Sequence, residues 1–468
     1  NCPFLDSCCS SSNDQSEHIK IKVIMLLEKK HITVVGMGHT GIATANFLVS
    51  KKAFVTIIDS RPRAKLKKNI LSLNTGLKML FECSEVPLIS DLIVLSPGVD
   101  INSSFLEKSH KQGVEIISEI ELASRFTQTP IIAVTGTNGK STVTTLIGNI
   151  LKQAGKKVSV GGNLGTPFID LLKEDPVDYF ILEVSTFQLE GIKTFRPKIA
   201  LMLNITPDHL DRHKNFEEYS NLKGMISSFQ KEEDILILNK DDENVMKQGV
   251  LSKAKKVLFS LVEKIETGIY LEKKIITSCF NKDKKYFFSV DDLSPPIKFQ
   301  IENLLGAVAV ATILNISKDE IFKTIAKFKG LAHRIEWVRT VGGVDFINDS
   351  KGTNVGALCK SLKAFSRPII LIAGGKDKGG DFQALKAVFK KKVKHLVLLG
   401  ETKNKIREIL NGSFDCEDAV DMEDAIKRAM RKAISGDIVL LSPGCSSFDM
   451  FENFIERGDR FKIIVGQL

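Results

Sequence analysis

Short apolar runs recur along the chain, each stopped by a glycine, proline, asparagine or acidic residue and followed by a longer stretch with helical spacing. The first covers residues 32–35 and gives way to Gly36-Met37-Gly38-His39-Thr40-Gly41; a helical stretch follows, then a run over 54–58 that ends in Asp59. Runs of this length between turn signals predict buried strands, and their alternation with helical stretches predicts parallel βαβ units. The pattern returns at 92–95 before Ser96-Pro97-Gly98, at 131–134 before a second glycine-rich turn, at 179–182 before Glu183, and at 199–203 before Asn204. Around Gly330 the series restarts, with strands predicted over 344–348, 369–373, 395–399 and 437–441, the last leading into Ser442-Pro443-Gly444. At 468 residues the chain exceeds what one hydrophobic core organises. The expected fold class is α/β with three domains in series: a Rossmann-like N-terminal domain over residues 25–120, a central P-loop ATPase-type domain over 121–330, and a Rossmann-like C-terminal domain over 331–468. Residues 1–24 combine serine, cysteine and acidic residues without periodicity and read as a disordered extension with no signal-peptide pattern.

Composition narrows this picture. With 43% hydrophobic and 26% charged residues the chain is globular. No apolar run approaches the roughly 18–20 residues that span a bilayer, so no membrane insertion is expected. A net charge of +10 suits nucleic acid, an anionic membrane surface or a polyanionic small molecule equally well. Only four tyrosines and one tryptophan are available and no recognition motif is present, so nucleic-acid binding is not expected. Lys390, Lys391, Lys392 and Lys394 read as a solvated face. The eight cysteines form no C-x-x-C pair; Cys83, Cys359 and Cys445 sit in apolar or glycine-rich surroundings and read as buried reduced thiols, which points to the cytoplasm.

Three turns carry candidate chemistry. Gly36 to Gly41 fits G-x-G-x-x-G with an acid at the end of the next strand, a pattern that serves dinucleotide binding or plain packing; a nicotinamide-dependent oxidoreductase is the reading it supports alone. Thr135-Gly136-Thr137-Asn138-Gly139-Lys140-Ser141-Thr142, after a strand and opening a helix, is a phosphate-binding loop. Its glycines let backbone N–H groups approach phosphates, Lys140 neutralises charge and Ser141 can ligate Mg²⁺. Val134 stands where the strict motif has its first glycine. Glu183 at a parallel strand end beside that loop is placed to bind the metal as well. Two histidines and two aspartates in Asn204-Ile205-Thr206-Pro207-Asp208-His209-Leu210-Asp211-Arg212-His213 suggest further metal and phosphate chemistry.

The string over 136–142, Glu183-Val184-Ser185-Thr186-Phe187-Gln188-Leu189 and the string over 204–213 resemble the Mur ligase family. The likeness continues through Asn303, Ala332-His333-Arg334 and Asn348-Asp349-Ser350-Lys351-Gly352-Thr353-Asn354, and covers essentially everything from Met25 to Leu468. The N-terminal domain, the string from Gly374 to Phe382, and the ending from Leu441 to Phe454 are similar to those of the D-glutamate-adding branch. The resemblance implies an ATP-dependent acid–D-amino-acid ligase that joins D-glutamate to UDP-N-acetylmuramoyl-L-alanine through an acyl phosphate, works as a monomer and needs Mg²⁺. It implies ATP contacts from Gly136, Thr137, Asn138, Gly139, Lys140, Ser141, Thr142, Asn303, Arg334 and Asp349. Metal ligation is implied for Ser141 and Glu183 at one Mg²⁺. A second would be held by His209 and Lys223, the latter carbamylated, although a helical lysine alone reads as exposed. Thr40, Asp59, Ser60, Arg61 and Gly98 lie where the family holds the uridine diphosphate, and Asn163 where it faces the muramoyl group. Lys351, Thr353, Lys378, Ser447 and Phe454 lie where it holds D-glutamate and the growing peptide. Thr186 replaces a frequent serine, His39 stands where an apolar residue is common, and Arg61 pairs either with the pyrophosphate or with solvent. Sister Mur ligases and the folate-polyglutamating enzyme are the nearest alternatives.

Overall fold

A computed structural model describes residues 27–468 apart from 88, 211, 281–282, 294, 299, 378 and 411–413. The expected extension and Lys378 therefore lie outside the described residues.

The first sheet is parallel throughout. Its strands are β1 (His31–Val35), β2 (Phe54–Asp59), β3 (Lys78–Phe81), β4 (Leu92–Leu95) and β5 (Glu115–Ser118), in the order β3-β2-β1-β4-β5. The order reverses on either side of β1, which opens a crevice at the carboxyl ends of β1 and β4. The turns 36–41 and 96–98 follow those two strands. Gly41 is required there by close approach: a Cβ at this position would sit against the Gly36 carbonyl.

The second sheet has nine strands: β6 (Ile131–Thr135), β7 (Val158–Gly162), β8 (Tyr179–Glu183), β9 (Ile199–Met202), β10 (Ile235–Asn239), β11 (Lys255–Ser260), β12 (Gly268–Glu272), β13 (Ile275–Phe280) and β14 (Asp283–Ser289). Their order is β14-β13-β12-β11-β10-β9-β6-β8-β7, parallel up to an antiparallel edge of β12, β13 and β14. Buried on both faces, β6 and β9 are apolar almost without alternation, which is why their runs were legible; β10 has the same character but was not anticipated. Because β6 lies between β8 and β9, the phosphate loop that follows it is flanked by Glu183 at the end of β8 and Asn204 just beyond β9.

The third sheet comprises β15 (Glu336–Val341), β16 (Val344–Asn348), β17 (Ile369–Ala373), β18 (Val393–Leu398), β19 (Cys416–Asp418) and β20 (Ile438–Leu441), ordered β15-β16-β20-β17-β18-β19. Only the edge strand β15 runs antiparallel, so the sheet is largely parallel as expected. The inner strands β16, β20 and β17 send three loops to one end of the sheet.

The two junctions differ in chemistry. One continuous apolar cluster runs from Ile32, Leu48 and Ile57 through Ile120, Leu122 and Phe126 to Phe168 and Phe180, joining the first sheet's layer to the second's. Within that junction the buried Glu121 carboxylate accepts the N–H groups of Lys193, Thr194 and Phe195 and pairs with Arg125. The third sheet has its own apolar clusters and meets the central layer largely through polar side chains. A shared core fixes the first pair, whereas a polar interface permits relative motion of the last.

Cys445 is buried, while Cys83 and Cys359 are only half-buried, because each lies at the margin of its cluster. Lys390, Lys391 and Lys394 are exposed and Lys392 is half-buried, its ammonium on the Phe365 carbonyl. Among the described residues no helix is long and apolar enough to cross a membrane.

Candidate active site

The phosphate loop is built by its neighbours. Gly139 has φ +90°, and a side chain there would run into Asn303, so glycine alone lets the helix Ile301–Ile313 close over the loop. Asn204 clamps the loop from beneath: its Oδ1 accepts the Asn138 N–H at 2.8 Å and its Nδ2 donates to the Asn138 carbonyl at 3.0 Å. Thr137 Oγ1 donates to the Thr206 carbonyl, accepts the Thr206 N–H and lies 3.0 Å from the Tyr219 hydroxyl. The Gly136 carbonyl accepts both Lys140 Nζ at 2.8 Å and Lys223 Nζ at 2.9 Å.

Ser141 and Glu183 form the centre. Ser141 Oγ donates to Glu183 Oε2 at 2.5 Å, Asn163 Nδ2 donates to Glu183 Oε1 at 2.8 Å, and Arg334 Nη2 donates to Ser141 Oγ at 2.7 Å. Burial alone would raise the Glu183 carboxyl; the charge of Lys140, the bonds from Ser141 and Asn163, and Arg334 together hold it below its ordinary value. It stays a carboxylate. Desolvation pulls the Arg334 guanidinium down against the opposing pull of Glu183 and Asp349. Asp349 is pushed up to about 6 by burial, despite hydrogen bonds from Ser361 Oγ at 2.6 Å and Ser442 Oγ at 2.7 Å.

Lys223 is 2% exposed on the helix Phe216–Gly224, contrary to its appearance in the sequence. Its side chain turns inward beside Tyr219, four residues earlier and on the same helix face, with Nζ 4.6 Å from the ring centroid. Burial above all, and then the charge of Lys140, lower its ammonium well below the usual lysine value, against Asp208 and Glu183. Burial of this kind favours loss of the ammonium proton. His209 has φ +54°, a conformation costing a non-glycine residue about 1–3 kcal/mol and typical of functional positions. Its ring stands edge-on to Phe187 at 5.2 Å, and its Nε2 lies 3.8 Å from Asp208 Oδ2. His333 and Ile335, on either side of Arg334, are also left-handed, and that turn carries Arg334 to the phosphate loop.

The third domain closes over this centre. Asn354 Nδ2 reaches Asn138 Oδ1 at 3.3 Å and Asp208 Oδ2 at 2.9 Å, and Lys360 donates to both Glu302 oxygens at 3.0 Å. A cleft of about 440 Å³ remains, lined by Asn138, Gly139, Thr142, Asn303, Arg334 and Asp349. Thr142 Oγ1 and Asn138 Nδ2 are buried without a hydrogen-bond partner among the described residues, which marks this space for a polar ligand. Lys351 lines the same cleft, with Nζ 3.9 Å from the Phe454 ring centroid. Thr353 instead lines an adjoining cavity of about 320 Å³ with Asp208, Asp377 and Gly380. Ser447 is buried. The residues anticipated for the amino acid thus span two neighbouring spaces.

At the first crevice Thr40 opens the helix after the glycine turn, and Ser60 and Gly98 are exposed at the strand ends. Arg61 is exposed over half of its side chain, and its Nε and Nη2 both donate to Asp59 at 2.8 Å. Asp59 Oδ2 also accepts the Met37 N–H, so this carboxylate pins the glycine turn. Burial would raise Asp59, but Arg61 and the two backbone donors bring it to about 2. Asn163 stands with Glu183, apart from this crevice. Asn204, Asn354 and Tyr219 had no role assigned from sequence, although all three lie in or beside the motif strings. Asparagines adjoining strand ends next to a phosphate loop were the available signal.

Comparison with known proteins agrees with this arrangement. Residues 30–118 match the model of the MurD-like Mur ligase N-terminal domain, 134–311 the Mur ligase middle domain, and 333–445 the Mur ligase glutamate ligase domain. The chain is 42% identical over 452 residues to the UDP-N-acetylmuramoylalanine–D-glutamate ligase of Caldanaerobacter subterraneus subsp. tengcongensis, covering 95% of this chain and 100% of that protein. It is 42% identical over 450 residues to the enzyme of the same name from Geotalea daltonii, covering 95% and 99%. Among solved structures, a pseudomurein peptide ligase type C from Methanothermus fervidus superposes with a TM-score of 0.59 at 21% identity, over 94% of this chain and 99% of that one.

Proposed function

Since the chain belongs to the Mur ligase family, we propose that it joins D-glutamate to UDP-N-acetylmuramoyl-L-alanine, using ATP, in the cytoplasmic synthesis of peptidoglycan precursor. The observation that carries this reading is the Lys140–Ser141–Glu183–Arg334 centre at the mouth of a nucleotide-sized cleft, within a chain that aligns over 95% of its length with an enzyme of that name. The division into domains near residues 120 and 330 is part of the same proposal and gives each domain one sheet.

ATP occupies the cleft, with adenosine toward Asn303 and Asp349 and phosphates against the N–H groups of 136–142. Mg²⁺ fits the oxygen donors Ser141 and Glu183, and a second ion would be held by His209 and carbamylated Lys223. Such an ion, when bound, neutralises phosphate charge so that an anionic nucleophile can approach. UDP lies in the first crevice at Thr40, Asp59, Ser60, Arg61 and Gly98, and the muramoyl group extends past Asn163 toward Glu183. The terminal L-alanyl carboxylate attacks the γ-phosphorus while Lys140 and Arg334 offset the repulsion of two anions. ADP departs from the acyl phosphate. The amine of D-glutamate, held by Lys351, Thr353, Lys378, Ser447 and Phe454, then adds to the activated carbonyl; a tetrahedral intermediate collapses and phosphate leaves. The bridges from Arg334, Asn354 and Lys360 keep water from the acyl phosphate. Hydroxylamine supplied without D-glutamate should intercept that species as a hydroxamate in the presence of ATP. Absence of hydroxamate would count against the acyl-phosphate route.

Three substitutions test parts of the site. Glu183→Gln keeps the shape and removes the charge, so the Mg²⁺ needed for half-maximal phosphate release should rise by about tenfold or more; an unchanged Mg²⁺ dependence would remove Glu183 from the metal site. Ser447→Ala and Lys378→Ala should each raise the D-glutamate KM by about tenfold, because a carboxylate loses a charged or hydroxyl partner, and leave that of ATP nearly constant. Equal rises in both constants would contradict the assignment.

A further inference from the structure

Arg457 is the largest fully buried side chain among the described residues, at 2% exposure, and it has no carboxylate partner within ion-pair distance among them. It projects from the helix Phe454–Gly466, one turn beyond Phe454. Four of its N–H donors are used on loops. Nε donates to Ser350 Oγ at 3.0 Å and Nη2 to the Ser350 carbonyl at 2.8 Å; Nη2 also reaches the Cys445 carbonyl and Nη1 the Ser446 carbonyl, each at 3.2 Å. Ser446 in turn exchanges backbone hydrogen bonds of 3.0 Å in both directions with Lys376, and Ser350 Oγ donates to the Phe454 carbonyl. Gly375 is held against the same guanidinium, since a Cβ there would approach both Nη1 and the Ser446 carbonyl. One side chain thus joins the loops over 348–354, 374–377 and 442–447, which follow the adjacent inner strands β16, β17 and β20.

A buried cation bound only to carbonyls and a hydroxyl is costly unless its field serves something. Desolvation lowers its guanidinium to about 10, and Cys445, Asp449 and Asp349 restore only part of that loss, so it remains charged at neutral pH. The loops it gathers are those that carry Lys351, Thr353 and Ser447. We propose that Arg457 is a positioning residue for the amino-acid pocket: it sets the relative placement of these three loops, and its unpaired charge behind them favours an incoming amino acid that bears two carboxylates. The inference rests on the proposed function above and adds the source of its preference for a diacid.

The test uses the full-length enzyme with Arg457→Lys and Arg457→Gln, folding being checked by thermal melting. Hydroxylamine trapping reports acyl-phosphate formation without the amino-acid pocket; initial rates with D-glutamate and with D-glutamine report the pocket itself. Both variants should form hydroxamate at nearly the wild-type rate with an unchanged ATP KM. Arg457→Lys should raise the D-glutamate KM by about tenfold through lost positioning while keeping the preference over D-glutamine, and Arg457→Gln should lose that preference as well. Equal loss of hydroxamate and product, or an unchanged KM and preference in folded variants, would overturn the proposal. No hydroxamate from the wild-type enzyme would instead overturn the acyl-phosphate reading beneath it.

Discussion

Lys140→Ala is expected to lower ATP turnover by about 10³-fold while leaving the melting temperature nearly unchanged. Lys140 stands at the start of the helix Lys140–Gln153, is half-buried, and its Nζ lies on the Gly136 and Thr137 carbonyls. Its charge is felt by Glu183 and Lys223, two of the groups on which metal binding depends in this account, so its removal weakens the phosphate site and the carboxylate beside it together. Phosphate release measured with all substrates present checks the first part, and a thermal melt the second. Turnover near the wild-type rate would remove this loop from the chemistry.

Lys223→Ala should lower activity by about 10²-fold or more. An ammonium would be repelled by a neighbouring cation, whereas burial favours the amine, which on taking up carbon dioxide would become an anionic oxygen ligand that a hard cation prefers. Acetate or formate should restore part of the activity of the alanine variant by standing in for the lost carbamate. The mass of the intact wild-type protein in bicarbonate buffer should show addition of one carbon dioxide that the variant lacks. Full activity of Lys223→Ala, or the same added mass in both proteins, would contradict the modification.

Much of the centre was legible because its parts are contiguous in sequence. A glycine-rich turn between a strand and a helix, and an acid ending an all-apolar strand, are local patterns with local causes, and 136–142 and Glu183 lie where those patterns place them. Lys223 needed more: its place on a helix was readable, but its burial depends on Tyr219 and on a loop 87 residues earlier. The antiparallel edge β12 to β14 was not anticipated: β14 opens on an aspartate and two lysines, and glycine, glutamate, threonine and serine interrupt β12 and β13, so these strands lack the continuous apolar signature of the inner ones. Bridges such as Arg334 to Ser141, 193 residues apart, and Asn354 to Asn138, 216 apart, leave no periodic trace at all. Arg457 shows the same limit from the other side: in sequence it is one arginine on an amphipathic helix, and only the convergence of three loops gives it a role.

The central claim is tested most directly by incubating the protein with ATP, Mg²⁺ and UDP-N-acetylmuramoyl-L-alanine, adding either D-glutamate or L-glutamate, and following phosphate release together with the mass of the nucleotide product. The account predicts phosphate release and the mass of the glutamyl adduct with D-glutamate, and neither with L-glutamate or with the nucleotide substrate withheld. Equal use of both enantiomers, or no adduct with D-glutamate despite ATP hydrolysis, would contradict it.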